Sequence, residues 1–290
     1  MILIRGGMRV LSINWFPGHM AKTRKEIKEN LKFVDVIIEI RDARIVRSSS
    51  NPDIDDICKN KPRIILLNKS DLAEDSITRQ WINKLSTDLV KVTSVNSING
   101  KGLSNIKPII NSLLKEKHDK LKEKGLTNII TRAMVVGIPN VGKSSFINRM
   151  ANNNRAKVGD KPGVTRSKQW IKTNIGIELL DTPGVLWPKF EDEEVGLNLA
   201  FTGAIKDEIM DIETLAFKLI EKLQKDYPDR LKQRYKLEFL SEDTLENMNN
   251  IGRKRGAVIS GGNIDYNRVS VMILDEFRGG KLGPISLERP

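Results

Sequence analysis

The chain has 290 residues, of which 39% are hydrophobic and 30% charged, with a formal net charge of +12. That composition supports a packed core and about two domains, and it argues against a membrane protein, since no apolar run approaches the roughly 20 residues a spanning helix needs. The single cysteine, Cys58, permits neither an internal disulfide nor a cysteine-based zinc cluster, and Met1-Ile2-Leu3-Ile4, interrupted afterwards by Arg5 and Arg9, is too short for a signal sequence, so the cytoplasm is the expected compartment.

Residues 22–32 have helical spacing through Ile27 and Leu31 and turn Lys22, Arg24, Lys25 and Lys28 outward. A strand is expected over 34–40, and Asn51-Pro52 opens a short helix, with proline suited to its first turn. Strand 63–67, helix 75–86, strand 89–93 and helix 103–118 follow. This alternation implies an α/β fold with a doubly wound, mostly parallel sheet. Strands over 133–136 and 177–180 complete it, and Glu191-Asp192-Glu193-Glu194 puts acid at the positive end of a helix. From Asp211 onward the pattern is helical. Leu215, Leu219, Ile220 and Leu223 form one apolar stripe and Val269, Ile273 and Phe277 another, both read as core.

Gly137-Ile138-Pro139-Asn140-Val141-Gly142-Lys143-Ser144 follows strand 133–136 and runs into helical sequence from Ser145. Strand, GxxxxGKS and helix in this order make a phosphate-binding P-loop. Its backbone N–H groups, with Asn140, Val141, Gly142 and Ser145 in the wrap, suit phosphate oxygens at a helix N-terminus. Lys143 is placed for the β- and γ-phosphates and Ser144 for Mg²⁺. Strand 177–180 ends in Asp181-Thr182-Pro183-Gly184, where Asp181 suits water-mediated Mg²⁺ binding and the Gly184 N–H suits the γ-phosphate. Between them lies Lys161-Pro162-Gly163-Val164-Thr165-Arg166, whose Thr165 is the candidate hydroxyl for closing on Mg²⁺.

Asn68-Lys69-Ser70-Asp71 ends strand 63–67 and reads as a guanine-specificity loop. The Asp71 carboxylate can accept from the ring N1–H and the exocyclic amine of guanine, whereas adenine leaves it unpaired. Asn68 can tether neighbouring loops, and the Lys69 stem can cover the ring. A second base loop is expected at Asn96-Ser97-Ile98, with Ser94 able to fill the same role one register away. In an ordinary GTPase the P-loop precedes the guanine loop. Here it follows, so the chain reads as a circularly permuted GTPase.

Residues 201–290 carry as many acidic as basic side chains, so the whole excess of +12 lies in residues 1–200. Arg149, Arg155, Lys157, Lys161, Arg166, Lys168 and Lys172 cluster around the P-loop helix and the threonine loop, a distribution suited to RNA phosphates. Lys115, Lys117, Lys120, Lys122 and Lys124 are interleaved with Glu116, Asp119 and Glu123 and read as a solvated linker.

Trp15-Phe16-Pro17-Gly18-His19-Met20-Ala21-Lys22, Asp42-Ala43-Arg44, the two nucleotide motifs, Lys161-Pro162-Gly163-Val164-Thr165, residues 181–190 and Gly203-Ala204-Ile205-Lys206-Asp207 together resemble the bacterial ribosome-assembly GTPases of the YlqF/RbgA type. Gly252-Arg253-Lys254-Arg255-Gly256 is also similar to that family. The resemblance implies an extension over 1–13, a permuted G domain over 14–200 and an all-helical RNA-binding domain over 201–290. Met8 is an alternative start for the chain. The resemblance implies binding to the large (50S) ribosomal subunit precursor and release on GTP hydrolysis, with rRNA contacts at Arg253, Lys254 and Arg255; the basic cluster adds Arg155, Lys157, Arg166 and Lys168 as candidate contacts, and a monomer is expected. A GTP-dependent RNA-binding placeholder whose chemistry is incidental is the alternative. Many GTPases position the attacking water with a glutamine after the DxxG glycine; Val185 and Leu186 stand here instead. The resemblance offers His19 as the water-positioning group, the other reading being a helix cap or RNA contact. His118, on a lysine-rich helix, is read as uninvolved. The resemblance also implies a K⁺ ion beside the phosphates at Asn140 of the P-loop, the other reading being an asparagine that only shapes the loop.

Overall fold

The computed structural model describes residues 17–126, 129–151, 170–184, 186 and 192–290, and the side chains of 17–21 and 209 lie outside that description. Among the described residues, strands β1 (Val36–Asp42), β2 (Arg63–Asn68), β3 (Val90–Ser94), β4 (Thr131–Val136), β5 (Trp170–Lys172) and β6 (Ile177–Asp181) form one sheet of order β3-β2-β1-β4-β6-β5. Every pairing is parallel except β5 on β6. The short antiparallel β5 was not anticipated: three residues are too few for an alternation to register.

The chain lays down β1, β2 and β3 on one side and then returns to add β4 and β6 on the other, so the strand order reverses between β1 and β4. In open α/β sheets ligands bind at the carboxyl ends of the strands at such a reversal. Both nucleotide motifs emerge there, Asn68 from β2 and the P-loop from β4. A sheet needs neighbouring strands rather than a given chain order, so the permuted sequence builds the same crevice.

Alternation along β1 and β4 divides the core. Ile38, Ile40, Ala133 and Val135 face one layer, and Ile37, Met134 and Val136 face the other, with Ile27, Ile54 and Cys58. On the second face lie α1 (Pro17–Asn30) and α2 (Pro52–Cys58). Asn51 caps α2 by accepting from the Asp53 N–H at 3.0 Å, with Pro52 in its first turn; such a cap contributes about 1 kcal/mol. Helix α3 (Asp75–Leu85) covers β2 and β3 on the same side through Ile77 and Trp81.

The helix expected over 103–118 is two helices, α4 (Ile106–Leu113) and α5 (Lys115–Glu123), broken at Leu114. Leu114 is the last buried anchor of the apolar stripe, and α5 buries no residue, so the chain bends where its hydrophobic contact with the sheet ends. The interleaved charges of 115–124 are thus helical. After α6 (Lys143–Met150), helix α7 (Glu193–Phe201) starts at an Asp192 cap that accepts from the Glu194 N–H at 2.9 Å.

The C-terminal part is helical: α8 (Ile212–Asp226), α9 (Pro228–Tyr235), α10 (Thr244–Lys254) and α11 (Tyr266–Arg278). Both expected stripes are buried, and they share one continuous core with the β1–β4–β6 face of the sheet. The last residues return to the sheet domain. The Ile285 N–H donates to Leu72 O and the Leu287 N–H to Arg44 O, each at 2.9 Å. Glu288 accepts from the Arg47 N–H at 2.6 Å and the Ser48 N–H at 3.0 Å.

Candidate nucleotide site

Asn68 is the hub of the base side. Its buried amide donates to Val141 O in the P-loop at 2.7 Å, and its oxygen accepts from Ser97 N at 3.0 Å and Ser97 Oγ at 2.9 Å. One side chain therefore pins the guanine loop, the P-loop and the 96–98 loop together. Asn96 closes its own turn, accepting from the Ile98 N–H at 2.8 Å and the Asn99 N–H at 3.0 Å. The side chains of Asn96 and Ser97 thus hold the loop in shape, and Ile98 projects, 80% exposed, from its tip. Asp71 is exposed, two residues beyond Lys69.

Lys69 adopts a left-handed backbone (φ 58°). Its ammonium donates to Asn140 O at 2.7 Å and lies 3.0 Å from Asp42 Oδ2. Asp42 in turn takes the Arg44 guanidinium through two bonds, Nε to Oδ1 at 3.0 Å and Nη2 to Oδ2 at 2.8 Å. Burial opposes ionisation of Asp42, but the Arg44 and Lys69 charges and their hydrogen bonds outweigh it and hold the carboxyl well below the usual carboxylate range. Asp42 and Arg44 were read from sequence only as part of a resemblance. No local signal announces a salt bridge whose members are both buried.

On the phosphate side, Gly137 and Gly142 meet the backbone demands of the P-loop. A Cβ on Gly142, at φ 97°, would collide with the Asn68 amide, and one on Gly137 would strike Ile40 O. Lys143 opens α6 and donates to two carbonyls of its own loop, Gly137 O at 3.1 Å and Ile138 O at 2.9 Å. Burial pulls its pKa down to about 8, against the opposing charge of Asp181. Ser144 and Ser145 are exposed in the first turn of α6, and Asp181 and Gly184 are exposed at the end of β6. Thr182 fixes that end by donating to Val135 O at 2.7 Å. An ammonium held by loop carbonyls, at a helix N-terminus and in the field of the Asp181 carboxylate, is a set of groups suited to a magnesium-bound phosphate. The Asn140 side-chain amide donates to Gly203 O, in the Gly203–Asp207 segment that follows α7.

Leu186 is buried in the main core and offers no polar group. Thr165, the basic residues Arg155, Lys157, Lys161, Arg166 and Lys168, Val185 and the His19 side chain lie outside the described residues. His118 approaches Thr131 Oγ1 at 3.4 Å, at the start of β4 and so at the opposite end of that strand from the P-loop. Arg253 and Lys254 are exposed at the end of α10. Arg255 is engaged internally: it lies over the Tyr235 ring, 5.3 Å from its centroid, and donates to Arg234 O at 3.3 Å.

Residues 132–242 match the family model described as 50S ribosome-binding GTPase. Over 278 residues the chain is 52% identical to Ribosome biogenesis GTPase A of Bacillus licheniformis, covering 96% of this chain and 98% of that one. The chain belongs to the ribosome biogenesis GTPase A family. GNP-bound YlqF from T. maritima superposes with a TM-score of 0.66 at 26% identity, over 93% of this chain and 98% of that one. The GDP-bound form of the same protein gives 0.62, also at 26% identity, over 91% and 99%. The chain is thus a GTPase with a permuted G domain, a mostly parallel sheet and a helical C-terminal region. The family model starts at β4 and does not reach back to Asn68, as expected where the guanine loop precedes the P-loop.

Proposed function

We propose that this protein is a GTP-hydrolysing assembly factor that binds the maturing large ribosomal subunit and leaves it on hydrolysis. The observation that carries the reading is the tether from Asn68 to Val141 O, which joins a guanine loop to a P-loop in one crevice of a chain whose relatives are ribosome biogenesis GTPases. The description of the matched family model, 50S ribosome-binding GTPase, supports the large subunit as the partner.

In this reading Asp71 accepts from the base, Asn68 with Asn96 and Ser97 shapes the base pocket, and the Lys69 stem covers the ring. Asn140, Val141, Gly142, Ser144 and Ser145 wrap the phosphates, and the Gly184 N–H faces the γ-phosphate. Lys143 exchanges its two loop carbonyls for phosphate oxygens. Ser144, Thr165 and Asp181 would hold Mg²⁺ and Asn140 would hold K⁺, and these ions would supply positive charge against the phosphates. His19 orients the attacking water, because neither Val185 nor Leu186 can. Residues 14–200 act as the G domain and 201–290 as the RNA-binding domain, behind an extension over 1–13. Arg155, Lys157, Arg166, Lys168, Arg253 and Lys254 contact rRNA phosphates, with Arg255 setting the end of α10 beside them. The protein works as a cytoplasmic monomer.

Co-sedimentation with separated ribosomal subunits tests the reading. Binding to large-subunit particles is expected with GTP and with a non-hydrolysable analogue, with release after hydrolysis only in the GTP sample. Binding should weaken steeply with salt. Recovery on small subunits alone would overturn the assignment. Release with the analogue as readily as with GTP would favour a GTP-dependent placeholder whose chemistry is incidental.

A further inference from the structure

Asp42 and Arg44 are among the most deeply buried charged residues described, at 1% and 2% exposure, and neither has a role in the chemistry above. Burying a charge is costly unless its partners are well placed, so the arrangement around this pair is informative. Lys69 lies at one end, holding Asn140 O as well as Asp42. Phe277 of α11 lies at the other. The Arg44 guanidinium stands 5.1 Å from the Phe277 ring centroid, and its Nη1 donates to Phe277 O at 3.4 Å. The next residue, Arg278, reaches the other way. It donates to Phe201 O at 3.0 Å and Ala200 O at 2.9 Å, and it pairs with both oxygens of Asp207 at 2.7 Å. Those carbonyls end α7, and the turn just beyond them offers Gly203 O to the Asn140 amide. The contacts close a ring: Asn140, Lys69, Asp42, Arg44, Phe277, Arg278, the α7 turn and Asn140 again.

We propose that Asp42 and Arg44 are positioning residues for the guanine nucleotide, and that through them the end of α11 is coupled to nucleotide binding. The inference rests on the nucleotide-site reading above. Asp42 holds the Lys69 ammonium, so the stem that covers the base is already oriented and less ordering remains to be done on binding. Arg44 keeps Asp42 ionised and aimed, and Phe277 fixes the plane of Arg44. Asn140 is gripped twice, by its carbonyl through Lys69 and by its amide through the α7 turn. A phosphate that settles this P-loop residue therefore settles both arms leading to α11. Coupling of this kind is reciprocal: if nucleotide steadies α11, perturbing α11 alters nucleotide affinity by the same factor.

The test uses the full chain. Amide hydrogen exchange with and without GDP should show slower exchange over 274–280 and 200–204 as well as over 137–142. Arg44→Lys keeps the charge but loses the two-pronged bond and the stacking. It should weaken fluorescently labelled GDP about tenfold, a usual size for site-to-site coupling, and abolish the nucleotide-dependent protection of α11. Phe277→Leu keeps the site apolar and touches no nucleotide loop. It guards against an Arg44 variant that fails to fold, and it should raise KM for GTP while leaving kcat nearly unchanged. A merely structural Arg44 would loosen α11 equally with and without GDP, and that result would overturn the proposal. So would parental GDP affinity in Phe277→Leu, or α11 exchange in the parent that ignores GDP while the P-loop responds. A parent that binds no guanine nucleotide would overturn the site reading itself, and the coupling with it.

Discussion

The base side and the phosphate side of this crevice are finished to different degrees. Around the base, Asn68 makes three hydrogen bonds, Asn96 two, and the Lys69 ammonium sits between a carbonyl and a buried carboxylate. That wall is held by protein alone. On the P-loop side, Lys143 is folded onto its own loop, while Ser144 and Gly184 stand exposed. The difference follows from what each side recognises. A flat base is read by a pocket whose shape must pre-exist. A charged phosphate supplies the field that reorganises its own ligands, and in the proposed reading Lys143 gives up two neutral carbonyls for it.

If the comparison holds, damage on the phosphate side should cost turnover and damage on the base side should cost stability and selectivity. The largest effect is expected for Lys143→Ala. Phosphate release should drop by about 10²–10³-fold, the usual cost of removing one charge-stabilising donor. Thermal unfolding should shift little, because a partly desolvated ammonium is lost along with its two bonds. A strongly destabilised variant would show that Lys143 also holds the apo loop together.

Next is Asn68→Leu. Val141 O and the Ser97 N–H lose a buried partner, which should cost about 1–3 kcal/mol in denaturant unfolding, together with weaker GDP binding. Unchanged stability would mean the base wall is not self-supporting. Asp71→Asn should leave stability alone, since Asp71 is exposed. It should reduce GTP affinity by about tenfold and admit xanthine nucleotides, whose second carbonyl accepts from the new amide. Equal affinity for GTP in variant and parent would remove Asp71 from the base contact.

The smallest effect is a pH dependence. Lys143 is lowered to about 8 by burial, and a bound phosphate raises it again. Binding therefore takes up a proton once the free site has lost one. GDP affinity should be flat below pH 7 and decline severalfold as pH rises through 8 to 9. The apo protein should move the opposite way. The unfolded chain holds the lysine proton up to its ordinary value of 10.5, so this group's contribution to stability rises between about 8 and 10.5. Isothermal titration and unfolding over the same pH series check both signs. Parallel trends would mean another group dominates.

The sequence by itself determined five of the six described strands, the two motifs, their inverted order and hence the permuted sheet. Those are local signals: a run of apolar residues ending in a turn whose glycines and lysine have one chemical use. Asn68, Lys143 and Asp181 could be placed at or just beyond strand ends around one crevice from position alone, because a strand end dictates where the next side chain emerges. What lay beyond reach was every contact made across the permutation. The Phe277 stacking against the buried Asp42–Arg44 pair, the Arg278 grip on α7 and the returning tail at Leu287 join residues far apart in sequence, Arg47 and Glu288 by 241 positions. A tripeptide such as Asp42-Ala43-Arg44 carries no periodicity and could equally be an exposed turn. Only the closing of the helical region onto the sheet removes water from it, and burial turns an ordinary ion pair into a constraint on the nucleotide loops.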